Sequence, residues 1–336
     1  MKNIWVLGCL AAALAVPVHA GPAVGPSGYH LVRTVSLPGD EGWDDLGLHQ
    51  PSHRLYITHG THVVVVDLAD FSIAGDIPGT PRVHGVAFAG DLGFTSNGGD
   101  NTVSVFNLKT LQVMKRIVVG KGPDAILYDS ATKKVLTFNG GSKDATVIDV
   151  TSQTVDGTIP LAGKPEFAAA DGKGKVFVNI EDTSEIVVLD AKKMVVVKRW
   201  PLAPCEEPSG LAIDVAHNRL FAGCHNKMMA VVNAKSGKIV ATPPIGEGVD
   251  GNRFDPGTRL AFSSNGDGTL TVVREVAPNS FKVIDTVPTQ KRARTMVLDT
   301  KSHDVFLVTA DFNPPATPGV RPMIVPGTFR LLVYAK

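Results

Sequence analysis

The residues of this chain best equipped for chemistry are three histidines and a scattered set of carboxylates. His59, His84 and His225 offer imidazole nitrogens suited to a transition metal, and with Glu166 they form a candidate divalent-metal set. Asp45, Asp124, Glu181, Asp250 and Asp311 offer oxygens suited to a hard cation, with Asn139 and Arg294 as further polar contacts for a ligand. Each stands at the edge of a short apolar run, either where a run opens or in the loop joining two runs. Side chains so far apart in sequence make a site only if the fold gathers them.

No local motif supplies the chemistry by itself. The sequence has no Cys-x-x-Cys-His haem attachment, no Walker A loop, no Gly-x-Ser-x-Gly elbow and no His-Glu-x-x-His pair. Haem and nucleotide are therefore not expected, although a triad assembled across sequence stays open.

The apolar runs are regular. Residues 55–67, LYITHGTHVVVVD, are two short apolar segments around a Gly-containing loop, the pattern of a β-hairpin. Related hairpins begin at Leu92, Lys134, Lys175, Arg219, Arg259 and Asp304. Their marker residues Tyr56, Phe94, Leu136, Phe177, Phe221, Phe262 and Phe306 are 38, 42, 41, 44, 41 and 44 positions apart. Seven copies at such a period indicate a repeat architecture. Before each hairpin comes a stretch of small apolar residues ending in Asp, Asn, Gly or Pro turn chemistry, and after it a β-branched run such as 113–118, 195–200 or 281–287. Long helical periodicity is missing, which removes helical solenoids. Four strands per repeat and seven repeats predict an all-β, seven-bladed β-propeller of four antiparallel strands per blade. The final repeat supplies three strands, the last near 329–334, and residues 29–37 are expected to provide the fourth and latch the ring.

Residues 1–20 carry Lys2, an apolar run from 4 to 16 and the small-residue spacing Val18-His19-Ala20, which read as a secretory signal peptide cleaved near Ala20. The rival is a lipoprotein signal at Val6-Leu7-Gly8-Cys9, with a very short apolar region. The mature chain, 21–336, is thus expected to be one periplasmic or secreted propeller domain. No later run is long enough to span a bilayer. Lysine and arginine number 33 against 32 acidic residues, and removing Lys2 with the leader balances them. Zero net charge argues against a nucleic-acid or membrane surface built on bulk electrostatics.

The segments Tyr56-Ile57-Thr58-His59, Phe94-Thr95-Ser96-Asn97, Leu136-Thr137-Phe138-Asn139 and Phe262-Ser263-Ser264-Asn265, each followed by a Val-Val-Asp-like third strand, resemble the YVTN-type repeat of YncE-like exported β-propellers. The resemblance covers essentially the whole mature chain and implies the propeller fold. Because the repeat is a packing motif, it implies function only broadly: nucleic acid, cell-surface partners or small ligands. The copies at 221–224 and 306–309 depart from it. Only Trp43 and Trp200 lie beyond the leader, so the tryptophan-rich packing of quinoprotein propellers is missing.

In a propeller, the loops leading into the first strands and those joining second to third strands share one face, around the mouth of the axial channel. The first set places Asp45, His84, Asp124, Glu166, Ser209, Asp250 and Arg294 there; the second places His59, His62, Asn97, Asn139, Glu181, His225, Asn265 and Asp311. His59 and His84 come from neighbouring blades, whereas His225 lies across the ring, so a three-histidine site needs a narrow mouth. The plainer alternative is that these polar groups cap turns and solvate the channel. His49, His53, His217 and His303 fall in turns of the opposite face and are expected to be solvated. Cys205 and Cys224, 19 residues apart, fall at one face of the fifth blade and are expected to form a disulfide. Residues 311–328 replace a short hairpin loop with a five-proline insertion that could cover the mouth or hold a partner.

Three functions follow. The favoured one is a monomeric exported scaffold that binds a protein, glycan or small ligand at its polar mouth. The alternative is a metal-dependent lyase, lactonase-like hydrolase or oxidoreductase at the same mouth. Nucleic-acid binding is a third, disfavoured by the charge balance.

Overall fold

The computed structural model describes residues 24–314 and 322–336. The signal-peptide expectation and Cys9 lie outside these residues. Among the described residues all regular structure is β, in seven four-stranded antiparallel sheets, and no helix is long and apolar enough to cross a membrane. Blades 1 to 6 occupy 43–78, 83–118, 123–160, 165–201, 208–241 and 249–288, each in simple up-and-down order. Their first strands are neighbours round the axis, and the first strand of blade 7, Met296–Leu298, touches those of both blade 6 and blade 1. This closes the ring.

Blade 7 takes its outer strand from the other end of the chain. His30–Ser36 pairs antiparallel with Arg330–Ala335, from His30 opposite Ala335 to Ser36 opposite Arg330. Tyr29 anchors the latch: its hydroxyl donates to the His303 carbonyl at 2.8 Å and its ring packs edge-on against Phe262.

The core lies between blades. Every marker residue of the repeat is buried, and Tyr56 and Phe221, for example, meet Phe88 and Phe254 at 4.9 and 5.3 Å between ring centres. Full burial of such side chains stabilises by roughly 1.5–3 kcal/mol each, which explains their recurrence. The small residues of the first strands reflect crowding at the axis. A Cβ on Gly210 would lie 2.6 Å from the Asn252 backbone nitrogen of the next blade, so only glycine fits there.

The histidines of the turns far from the mouth are exposed or half-exposed, and they also carry bonds. His217 and His303 do not merely face solvent: their Nδ1 atoms lie 2.7 and 2.8 Å from the buried carboxylates of Asp214 and Asp255. His49 bonds Ser52, and His53 approaches Asp299 at 3.5 Å. These histidines brace turns.

Candidate functional site

The mouth is built by a defect repeated in blades 1 to 6. Where the first strand begins, its register against the second strand shifts, between Trp43 and Leu46, Val83 and Val86, Pro123 and Ile126, Pro165 and Ala168, Pro208 and Leu211, and Val249 and Gly251. Such a bulge adds a residue and re-aims its side chain. The residues so placed are Asp44, His84, Asp124, Glu166, Ser209 and Asp250, with Arg294 at the corresponding point of blade 7. The sequence reading puts Asp45 here in blade 1; Asp44, two residues before Leu46, is the one level with His84 and Asp124. Asp45 lies one step deeper, where its carboxylate accepts a bond from Arg253 Nη2 at 3.0 Å across the channel.

Polar residues hidden in the second strands hold this ring. Thr58 Oγ1 donates to the His84 carbonyl (3.1 Å), Ser96 Oγ to that of Asp124, Asn179 Nδ2 to that of Ser209 (2.9 Å) and Ser264 Oγ to that of Arg294. Each bond runs from one blade to the mouth residue of the next. A second set grips the linkers ahead of the mouth: Ser142, Asp182, Asn226 and Asp267 accept bonds from the backbone N–H groups of Lys121, Lys164, Glu206 and Glu247 at 2.7–3.2 Å. Asp124 and Ser209 have their backbone held at both points and His84, Glu166, Asp250 and Arg294 at one, so these side chains are pre-positioned.

Contacts then run round the ring. His84 Nδ1 bonds Asp44 and lies 3.6 Å from Asp124. Lys164 Nζ lies 2.8 Å from Glu166 and also contacts Glu181. Asp250 accepts from Ser209 at 2.9 Å and pairs with Arg294 at 3.1 Å. Asp44 and Asp124 thus share one imidazole, and Glu166 and Glu181 share one ammonium, so carboxyl groups outnumber cationic groups in this arc. Burial, aided by the neighbouring Asp124, pushes the Glu166 carboxyl up to about 8. Burial and Asp44 raise Asp124 to about 6, and burial raises Asp44 and Asp250. His84 is shifted up by its bond to Asp44 and the charge of Asp124, against the opposing effect of burial.

This predicts a pH effect on stability. Glu166 keeps a proton when folded that the unfolded chain releases near its ordinary value of 4.5, so stability falls as pH rises from there through about 8. Glu166→Gln should match the parent near pH 5 and exceed it by about 2 kcal/mol near pH 8 in urea denaturation. Equal stability of the two at the higher pH would show that Glu166 ionises freely.

His84, Asp124, Glu166, Glu181, Asp250 and Arg294 are therefore brought to one opening, and Asp45 lies just inside it. Four other sequence candidates are not. His59 is fully buried at the rim of blade 1, stacked on Phe329 at 4.4 Å, and burial lowers its imidazole to about 4. His225 faces Glu207 at 3.2 Å, so the three histidines do not converge. Asn139 is buried in its own blade, where its amide donates to Asp144 and Thr146, because the last residue of the second strand points into the hairpin. Asp311 pairs with Arg330 at 2.5 Å and accepts from Gln290. Sequence reasoning missed Asp44 and Arg253; the strand-interior Thr58, Ser96 and Ser264 were visible in the repeat but carried no functional signal.

Beside the acidic arc, the described ends of the insertion pair at Phe312 and Ile324. They border a cleft of about 970 Å³ with Trp43, Met323, Lys291 and Arg294 among its lining residues. Arg294 belongs to both cleft and ring, and Gly327 N–H, donating to Asp40 at 2.6 Å, ties the insertion to the segment leading into blade 1.

No family model matches the sequence, and no curated protein matches it. Among solved structures, a chain in a crystal structure of the mitotic checkpoint complex is similar over 100% of this chain and 99% of its own, with a TM-score of 0.76 and 13% identity. At that identity the likeness identifies the propeller scaffold and nothing about its ligand.

Proposed function

We propose that this protein is a binding propeller whose mouth takes a small organic ligand bearing a positive charge, with the charged group in the acidic arc and an apolar body in the adjoining cleft. The observation that carries this is the unbalanced arc: two carboxylate pairs, Asp44 with Asp124 and Glu166 with Glu181, each share a single cationic partner. An ammonium group would offer the surplus carboxyls a cationic partner and favour their ionised forms, while Trp43, Phe312 and the exposed Met323 offer apolar surface within reach. An exported location and membership of the YVTN-type propellers, both suggested by the sequence, belong to this proposal.

The test is thermal-shift screening of matched amines, alcohols and carboxylates, followed by calorimetry. Amines should bind, and Asp124→Asn or Glu166→Gln should weaken them about tenfold or more. Affinity should rise with pH, because a bound cation favours the ionised forms of Asp124 and Glu166. Preference for neutral or anionic ligands would overturn the reading.

A second reading has its own support. Donor atoms of Asp44, His84 and Asp124 lie within 4.8 Å of one another, a mixed oxygen and nitrogen set suited to a divalent metal and hence to the metal-dependent enzyme expected as the alternative. Metal-stimulated turnover that is lost in His84→Ala would favour it over amine binding.

A further inference from the structure

We propose that the rim of blade 1 carries a transition-metal site, of the kind zinc occupies, formed by Glu41, His59 and His62 and separate from the acidic mouth. His59 ends the second strand of the blade and His62 begins the third, so the two face each other across the Gly60-Thr61 turn in direct register. Gly60 has φ +56°, which lets the turn close this tightly. His59 Nδ1 and His62 Nε2 stand 3.4 Å apart, with the rings nearly perpendicular at 85°. Two nitrogens bound to one tetrahedral zinc at 2.0–2.1 Å would be about 3.3–3.4 Å apart, so the two imidazoles already have the spacing of a shared ion.

The third donor is held in place independently. Glu41 Oε2 accepts the Thr61 N–H at 2.7 Å, and the Thr61 hydroxyl lies 3.2 Å from both carboxylate oxygens. Ligand atoms of Glu41, His59 and His62 all fall within 4.8 Å of one another, so a small inward rotation of the carboxylate completes three-point binding. His59 is locked against Phe329, and its Nε2 is shut from solvent with no partner. The stacking fixes the imidazole with Nδ1, the proposed donor atom, turned toward His62. Asp76 lies 3.7 Å from His62 Nε2, outside the three-donor cluster, and both residues line an open cleft of about 500 Å³ through which an ion can arrive. Two imidazoles favour zinc, copper or nickel over magnesium or calcium.

The position gives the ion a structural task. Glu41 lies on the segment between the latch strand His30–Ser36 and the first strand of blade 1, whereas both histidines belong to the next hairpin. A bound metal would staple that segment to the blade at the point where the ring is closed.

The test uses tag-free full-length protein stripped with chelator, titrated with Zn²⁺ against a chromophoric competitor and with Co²⁺ for its visible spectrum. The expected result is a single tight site, a tetrahedral Co²⁺ band, and a melting temperature that rises with Zn²⁺. His62→Ala, at a half-buried position, should weaken binding about a hundredfold and abolish the band while leaving the melting temperature of the stripped protein near that of the parent. Glu41→Gln should weaken binding by about tenfold or more. Asp124→Asn, in the mouth, should leave the band intact. Absence of Zn²⁺ binding, binding indifferent to His62→Ala, or loss of the band in Asp124→Asn would each overturn the proposal.

Discussion

Arg253→Met should destabilise the protein by about 3–4 kcal/mol near pH 8, and adding Asp45→Asn should restore most of that loss. Arg253 rises from the first strand of blade 6 and reaches across the channel to Asp45 of blade 1, with its guanidinium 5.7 Å from the Phe167 ring of blade 4 and its Nη1 donating to its neighbour's carbonyl at Asn252. It therefore links three blades at the axis. Both side chains of the pair are about one-fifth exposed, enough to moderate the effect but not to solvate a lone carboxylate. Burial already lifts Asp45 to about 6 although Arg253 pulls it down, and removing the arginine lifts it further.

The sign follows from linkage. With its folded pKa above the unfolded one, Asp45 holds a proton in the folded state, so the variant's deficit is small near pH 5 and grows as pH rises through the folded value. Urea denaturation of parent, single and double variants at both ends of that range measures it. A deficit independent of pH, or one that Asp45→Asn fails to relieve, would mean that Arg253 acts through packing against Phe167 rather than through charge.

Arg253 also shows where sequence and structure part. The repeat was legible because it is written in large buried residues: Tyr56, Phe94 and Phe262 recur since each blade needs one bulky side chain against its neighbour, and turn carboxylates such as Asp214 and Asp255 recur since they accept the backbone N–H groups of their own turns. The latch was legible because the last repeat lacked a strand that residues 29–37 could supply. The first-strand residues of the mouth were legible to within one position, most of those in the hairpin loops were not. Aligning the blades on the residue that follows the bulge, Leu46, Val86 and Ile126, puts Asp44 rather than Asp45 level with His84 and Asp124. Asn139 and His59 went the other way. They sit in loops that border the mouth in sequence, but the last residue of a second strand points into its hairpin, so one bonds Asp144 and the other packs on Phe329. Arg253 carried no signal at all, because a charged residue in a short strand reads as facing solvent unless its partner 208 positions away is known.

Replacing both cysteines by alanine should destabilise the protein by about 3 kcal/mol, and a reducing agent should do nearly the same to the parent. Cys205 and Cys224 form a disulfide with Cα atoms 5.6 Å apart, closing a separation of 19 residues. Cys205 lies in the linker from blade 4 to blade 5, Cys224 ends the second strand of blade 5, and both are buried in a cluster that includes Trp200 and Leu202 of the preceding blade and its linker. In blades 3, 4 and 6 the same linker is held by Ser142, Asp182 or Asp267, and blade 5 keeps the equivalent bond, from the Glu206 N–H to Asn226. The native linker thus has a second hold, and the disulfide acts chiefly by restricting the unfolded chain. That distinction is measurable. The double alanine variant should lose stability while the mouth keeps its ligand affinity, because Asn179 still holds the Ser209 carbonyl and Asp267 still holds Glu247 in the linker ahead of Asp250. Adding Asn226→Ala to it should then lower mouth affinity, since the linker would have lost both restraints. If cysteine removal alone weakens the mouth, the bridge sets native geometry, and the chain-entropy account of its effect fails.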